Sequence, residues 1–297
     1  MIKILFIGCV ESSRTFLETL LTVPEAEVVG IVTCRESAFN ADFVSLEGIA
    51  KRYGIPCFLF HPTQKEGLIP WAEEREADII YCFGWSYLLP DNLLRVTRLG
   101  GIGYHPAMLP KNRGRHPIIW ALALGLKETA STFFFLDKEA DAGDIISQEI
   151  VSILDADDAG TLYGKLLDVG RKQIRAITEG LANGTYRRMP QDPQKANRWR
   201  KRGSKDGRID WRMPARGIYN LVRALTHPYV GASFLWEDRE IRVWKSEIVS
   251  ESVLYPNLEP GRILKVDGKS VEIQCGMGVV RLTDYDPISL REGGWLP

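Results

Sequence analysis

The first half of the chain alternates short apolar runs with amphipathic stretches. IKILFIG, at residues 2–8, is apolar throughout and predicts a strand buried on both faces. SSRTFLETLLTV follows with apolar positions at helical spacing, and Ser12 or Ser13 is placed to cap its first turn. The alternation continues through strand AEVVGIVT, helix FVSLEGIAKRYG, strand IPCFLF, helix WAEEREA and strand DIIYCFG. Such a pattern predicts an α/β fold with a Rossmann-like parallel sheet covered on both faces, whose ligands bind beyond the carboxyl ends of the strands.

After residue 100 the pattern predicts a short strand into His105, a proline-rich loop and a helix from Pro117 to Leu124. Strand STFFFLD, a turn leading into strand DAGDIISQEIVSIL, and a long helix AGTLYGKLLDVGRKQIRAITEGLANG come next. Residues 184–208 are polar and basic and read as a linker. Beyond them lie a helix, PARGIYNLVRALT, and the short runs ASFLW, EIRVWKSEIV, GRILKVDG and SVEIQCGMGVVRLTDYD. Turn residues separate these runs, the pattern of a small β-barrel or sandwich. The expected organisation is an N-terminal catalytic domain over 1–183, a linker over 184–208 and a β-barrel domain over 209–297.

Composition narrows the partners. The 297 residues are 45% hydrophobic and 26% charged, the profile of a soluble globular protein. Lys+Arg 38 balances Asp+Glu 38, so no global field favours nucleic acid or a membrane surface. The five cysteines are odd in number and contain no Cys-x-x-Cys pair, which signals neither a zinc site nor a disulfide framework. A reducing cytoplasm fits them. MIKILFIGCVESS reads as a first strand rather than a signal peptide, and no apolar run approaches the ~20 residues that span a bilayer. The turn Gly8-Cys9-Val10-Glu11-Ser12 lacks the G-x-G-x-x-G pattern, so no dinucleotide site is expected.

Two polar signals stand out, His105 at the end of a strand and Asp141 in LDKEADAGDI just past another. A carboxylate beside an imidazole orients the ring and raises its basicity. The loop LPKNRGRHP would border the same cleft, with Arg113 as an anion fork and Gly114 for close backbone approach. On residue types alone, a histidine before proline and an Asp-Ala-Gly triplet are equally readable as turns.

YHPAMLPKNRG, then PIIWAL, then EADAGDI resemble the formyltransferase family that uses N10-formyltetrahydrofolate, whose pattern is Asn-x-His-x-x-Leu-Leu-Pro-x-x-Arg-Gly followed by Asp-x-Gly-Asp. DGRIDWRMPARGIYNLVRALTHPYVGASF resembles the start of that family's C-terminal, OB-like barrel. The resemblance implies an N-formyltransferase, a one-carbon transferase that needs no metal. It makes His105 the general base, oriented by Asp141. It places the pterin against backbone groups of Trp85, Tyr87, Leu88, Leu89 and Pro90, and of Leu136, Asp137 and Ala140. It sets Lys111, Asn112, Arg113 and Gly114 beside the substrate. The sequence departs from the family at Gly103, where the asparagine that stabilises the oxyanion is expected; losing such a donor typically costs ~100-fold or more in rate. A backbone N–H, a water in the vacated space or protonated His105 would take over, or Asn112 would enter the site from its loop. Alternatively, the reaction shifts to hydrolysis of the formyl donor, or catalysis is damaged and a folate- or nucleotide-binding member remains.

The family's amines include methionyl-tRNA and amino sugars on nucleotides. The tRNA enzymes carry a basic insertion after the second strand; here CRESAFNADFVSLEG holds one Arg35 against Glu36 and Asp42. That points away from nucleic acid, because phosphate contacts dominate its affinity. The basic NRWRKRGSKDGR argues the other way if it is more than a solvated segment. The expected substrate is a small nucleotide-linked amino sugar, as in surface-polysaccharide or nonulosonic acid biosynthesis, with Asn40 facing the sugar. Methionyl-tRNA is the alternative, and a homodimer is the assembly this reading allows.

Overall fold

The computed structural model describes residues 1–37, 40–63, 66–87, 89 and 91–297, the side chain of Asp91 excepted. It divides into two compact units. One comprises residues 1–114, 129–151 and 164–199; the other comprises 115–128, 152–163 and 200–297.

The first unit is built on a seven-stranded sheet in the order β3-β2-β1-β4-β5-β7-β8. Strands β1 (Ile2–Ile7), β2 (Ala26–Thr33), β3 (Cys57–Leu59), β4 (Ile79–Cys82) and β5 (Gly101–His105) run parallel, as the alternating pattern predicts. Strand β6 (Arg113–Gly114) leaves this sheet to pair with β9 (Arg198–Trp199). Strand β7 (Glu128–Phe135) lies antiparallel to β5, with Gly103 opposite Phe134 and His105 opposite Thr132. Strand β8 (Ile145–Ser152) closes that edge.

Alternation along each strand sorts the core. On one face, Phe16 of α1 (Glu11–Leu20) is fully buried with its ring 5.6 Å from Phe83, 4.9 Å from Tyr104 and 5.5 Å from Phe133. The long helix α6 (Ala159–Ala182) covers the same face, and its Gly170 lies against the Phe16 ring. Gln173 of α6 donates to Ser131 O at 3.0 Å, and Thr178 meets the buried Tyr81 hydroxyl at 3.0 Å. On the other face Leu5, Ile7, Val32 and Ile80 pack with Leu68 and Ala72 of α3 (Leu68–Glu73) and with Leu93 of α4 (Asp91–Leu94).

The start of α1 differs in detail from expectation. Val10 is the capping residue, and Ser13 sits inside the first turn. The Ser13 hydroxyl accepts from Val10 N–H at 3.2 Å and donates to Phe83 O at 2.6 Å, so it ties the helix to the end of β4. Helix α2 (Glu47–Tyr53) ends on Gly54 in the left-handed conformation glycine favours at such a terminus.

In the second unit, α5 (Pro117–Ala123) and α7 (Ala215–Leu225) accompany a five-stranded antiparallel sheet in the order β10-β11-β14-β13-β12. Its strands are β10 (Ala232–Trp236), β11 (Arg239–Ser250), β12 (Ile263–Asp267), β13 (Ser270–Gln274) and β14 (Val279–Tyr285). The last run read from the sequence divides into two of them. Each edge is met by another segment at one point: Ile209 N–H donates to Ser233 O on β10, and Ile263 N–H on β12 donates to Gly294 O. Such contacts shorten the free edge offered to another chain.

Phe16→Ala is expected to lower the unfolding free energy by about 3–5 kcal/mol, the usual cost of emptying an aromatic site that cannot collapse. A urea titration that leaves the midpoint unmoved would show that the Phe16, Phe83, Tyr104 and Phe133 cluster does not anchor this face.

Candidate active site

His105 is the last residue of β5 and is 5% exposed. Gly101, Gly103 and His105 share one face of the strand, opposite Ile102 and Tyr104, because side chains alternate. His105 Nε2 lies 2.8 Å from the carbonyl oxygen of Asn112. A carbonyl can only accept, so Nε2 bears a hydrogen in this arrangement. Nδ1 then faces Asp141 Oδ1 at 4.0 Å, beyond a hydrogen bond.

Asp141 reaches His105 by a route the sequence does not suggest. Since β7 is antiparallel, its outgoing end lies beside the start of β5, where Leu136 N–H donates to Gly101 O at 2.8 Å. The turn that follows doubles back, and Asp141 adopts a left-handed conformation, φ 62°. Its Oδ2 accepts the N–H of Gly114 at 2.9 Å. Gly114 has φ 112°, and a Cβ there would fall 2.2 Å from Trp199 O. Only glycine fits this approach.

The family motif loop is held from behind. Asn112, also left-handed at φ 64°, donates its N–H to Asn197 Oδ1 at 2.8 Å. Arg113 N–H donates to Asn197 O at 3.1 Å. The Arg113 side chain is buried rather than offered to solvent: it donates to Gln191 Oε1 from Nε and from a terminal nitrogen, and pairs with Glu139 at 3.5 Å. Arg198 also bridges to Glu139, at 3.0 Å. Lys111 is exposed at the tip of the loop. Gln191, Asn197 and Glu139 are not singled out by sequence, and Arg198 enters only as one of the basic residues of NRWRKRGSKDGR; they stand in polar stretches with no periodicity to mark them.

At Gly103 the structure overturns one expectation. No space is vacated for a water. A Cβ at this position would lie 2.8 Å from Leu136 Cδ2 and 2.9 Å from Phe134 Cζ, and both side chains belong to an apolar cluster with Leu109 and Ile145. The wall beside His105 is hydrocarbon where the family pattern has a carboxamide.

On the side expected for the pterin, Trp85 packs edge-on to Phe60 at 5.1 Å and lies 5.5 Å from Tyr87, while Leu89 joins the core under α3. Leu88 and Pro90 lie outside the described residues. Leu136 has spent its N–H on Gly101; Asp137 and Ala140 are exposed. Asn40 accepts from the Ser86 hydroxyl at 2.9 Å and approaches Cys9 Sγ with its amide at 3.9 Å, so it braces the loop after β2 against residues 85–87. The Cys9 and Cys34 thiols are hydrogen-bonded to each other; the bond raises the Cys9 pKa and lowers that of Cys34. Burial pushes the Cys82 thiol up to about 12. All five cysteines are free. Among the described residues, no group of three or more His, Cys, Asp or Glu could hold a metal ion, and no helix is long and apolar enough to cross a membrane.

Within the second unit, His116 opens α5 in a left-handed conformation, and its buried Nδ1 has no hydrogen-bond partner. Burial first, then Arg115, Arg202 and Lys201, hold its pKa below the usual histidine value. Arg202 and Arg200 lie over the Trp120 ring at 4.6 and 5.4 Å.

Gly103→Asn is expected to cost about 1–3 kcal/mol of stability through overpacking against Phe134 and Leu136. An equally stable variant, measured by chemical denaturation, would show that these side chains yield.

Methionyl-tRNA formyltransferase of Staphylococcus aureus (strain MW2) is 29% identical over 302 residues, covering 98% of this chain and 91% of that protein. The N-formyltransferase from Helicobacter canadensis, solved with folinic acid and dTDP-3-aminofucose, superposes with a TM-score of 0.72 at 17% identity, over 96% of this chain and 100% of that one. WlaRD, a sugar 3N-formyl transferase solved in the presence of dTDP and 5-N-formyl-THF, gives 0.70 at 16% identity, over 95% and 97% of the two chains. At these identities the solved structures speak for the fold. Residues 11–178 match the formyl transferase model and residues 202–289 match that of its C-terminal domain. The Arg-Gly loop and the Asp141 turn that meet at His105 both fall inside the first match, and the chain belongs to the formyl transferase family.

Proposed function

We propose that this enzyme transfers the formyl group of N10-formyltetrahydrofolate to the amino group of a nucleotide-linked amino sugar. The observation that carries formyl transfer is the His105–Asp141 pair, held by Gly114 N–H inside a chain of this family. Support for the donor comes from the folates named in the solved relatives.

The amine nitrogen attacks the formyl carbon, the bond from that carbon to folate N10 breaks, and the proton leaving the amine ends on N10. His105 carries that proton. To accept it, Nε2 must leave the Asn112 carbonyl, and Asp141 favours this by drawing the ring hydrogen to Nδ1. The imidazolium that results lies beside the oxyanion and serves where Gly103 supplies no side chain. Arg113, engaged by Gln191 and Glu139, holds the loop in place of gripping substrate. Lys111, exposed on that loop, is placed to meet a phosphate.

The sugar is favoured over tRNA by the segment after β2, which holds one arginine against Glu36 and Asp42. The second reading, methionyl-tRNA, is favoured by the 29% identity to the staphylococcal enzyme across 98% of this chain.

Two measurements test this. With N10-formyltetrahydrofolate and a panel of UDP- and dTDP-amino sugars, one sugar should gain the mass of a formyl group; product from methionyl-tRNA alone would select the second reading. His105→Gln and Asp141→Asn should each lower kcat by about 10²–10⁴-fold, the range for a positioned proton-transfer group. Unchanged turnover in either removes that residue from the mechanism.

A further inference from the structure

We infer that Gln191, far in sequence from both family motifs, is a positioning residue that sets the geometry of the His105–Asp141 pair. The inference rests on the proton-transfer reading given above.

Gln191 spends its whole carboxamide on the site. Nε2 donates to Asp141 O at 2.9 Å and to Gly143 O at 2.7 Å. Oε1 accepts from Arg113 Nε at 3.2 Å and from a terminal nitrogen at 2.8 Å. The amide therefore has one orientation. Turned over, its NH2 would meet a guanidinium that only donates, and its oxygen would meet two carbonyls that only accept.

These contacts reach both halves of the pair. On one side they fix the carbonyls of Asp141 and Gly143; Asp141 is a non-glycine residue at φ 62°, a conformation that persists only where its surroundings impose it. On the other they hold Arg113, which sits between the carbonyl on His105 Nε2 and the N–H on Asp141 Oδ2. Asn197 completes the brace through Asn112 N–H and Arg113 N–H. The spacing of Nδ1 from Oδ1, 4.0 Å, is thus decided by a side chain that touches neither ring nor carboxylate. Displacement of a catalytic group by about 1 Å can cost about 100-fold.

The test uses the full chain with Gln191→Glu, which keeps the acceptor for Arg113 but sets an oxygen against the two carbonyls, and Gln191→Asn, which keeps every group but falls one methylene short. Both should lower kcat about 10- to 100-fold, leave KM for donor and amine within about twofold, and displace the acidic limb of the kcat–pH profile. Imidazole nitrogen NMR gives a readout independent of turnover: the His105 signals, identified by their loss in His105→Gln, should shift in both variants while the other three histidines stay in place. Folded Gln191→Glu and Gln191→Asn proteins with parental kcat, pH profile and His105 nitrogen shifts would overturn the inference. Should one variant not fold, the other decides. Full turnover by His105→Gln would instead overturn the reaction reading, and the nitrogen shifts alone would then decide whether Gln191 sets the pair.

Discussion

The hydrogen bond that Gly114 N–H donates to the Asp141 carboxylate joins the two motif loops directly, beside the Arg113–Glu139 pair. One partner comes from the loop after β5 and the other from the turn after β7, strands that run in opposite directions. With that bond, one carboxylate oxygen is fixed and the second faces His105. The local oddities follow from this need. Gly114 lacks a Cβ because the Trp199 carbonyl occupies its place, Asp141 and Asn112 take left-handed conformations, and a buried arginine is held by a glutamine and a glutamate. Each is costly alone and is tolerated because the surrounding hydrogen bonds over-determine it.

The layers of the fold were legible in the sequence because burial writes itself into periodicity. IKILFI and AEVVGIVT fall on strands with bounds close to those read, and α6 spans the long amphipathic run. Strand direction was not legible. STFFF reads as an apolar run whichever way it points, so the antiparallel pairing of β7 with β5 is not written in its own residues. At the site, His105 and Asp141 were found through the family pattern; residue types alone could not separate them from turns. Gln191 and Asn197 were missed, since a polar residue that bonds to backbone leaves no spacing signature among Asp, Pro and Gln neighbours. The cysteine pair was hidden too, because Cys9 and Cys34 become neighbours only when their strands lie side by side.

Segment 191–199 shows how composition can mislead. Its charge and proline content read as solvated connection, yet it supplies β9, the acceptor for Asn112 N–H and both donors to the Asp141 turn. Arg198 there is already paired with Glu139 at the surface. A count of basic residues along such a stretch overstates the field it offers to a polyanion, since a cation already paired contributes little at a distance.

The packing around Gly103 carries a consequence for how this chain can change. Phe134 and Leu136 fill the volume a side chain would need, so residue 103 is locked to two positions on the neighbouring strand and turn. A carboxamide at residue 103 presses on Phe134 and Leu136 unless one of them is smaller, and shrinking those first leaves a void. Either order passes through a less stable intermediate. The three positions are therefore coupled through packing, and a change at one is felt at the other two.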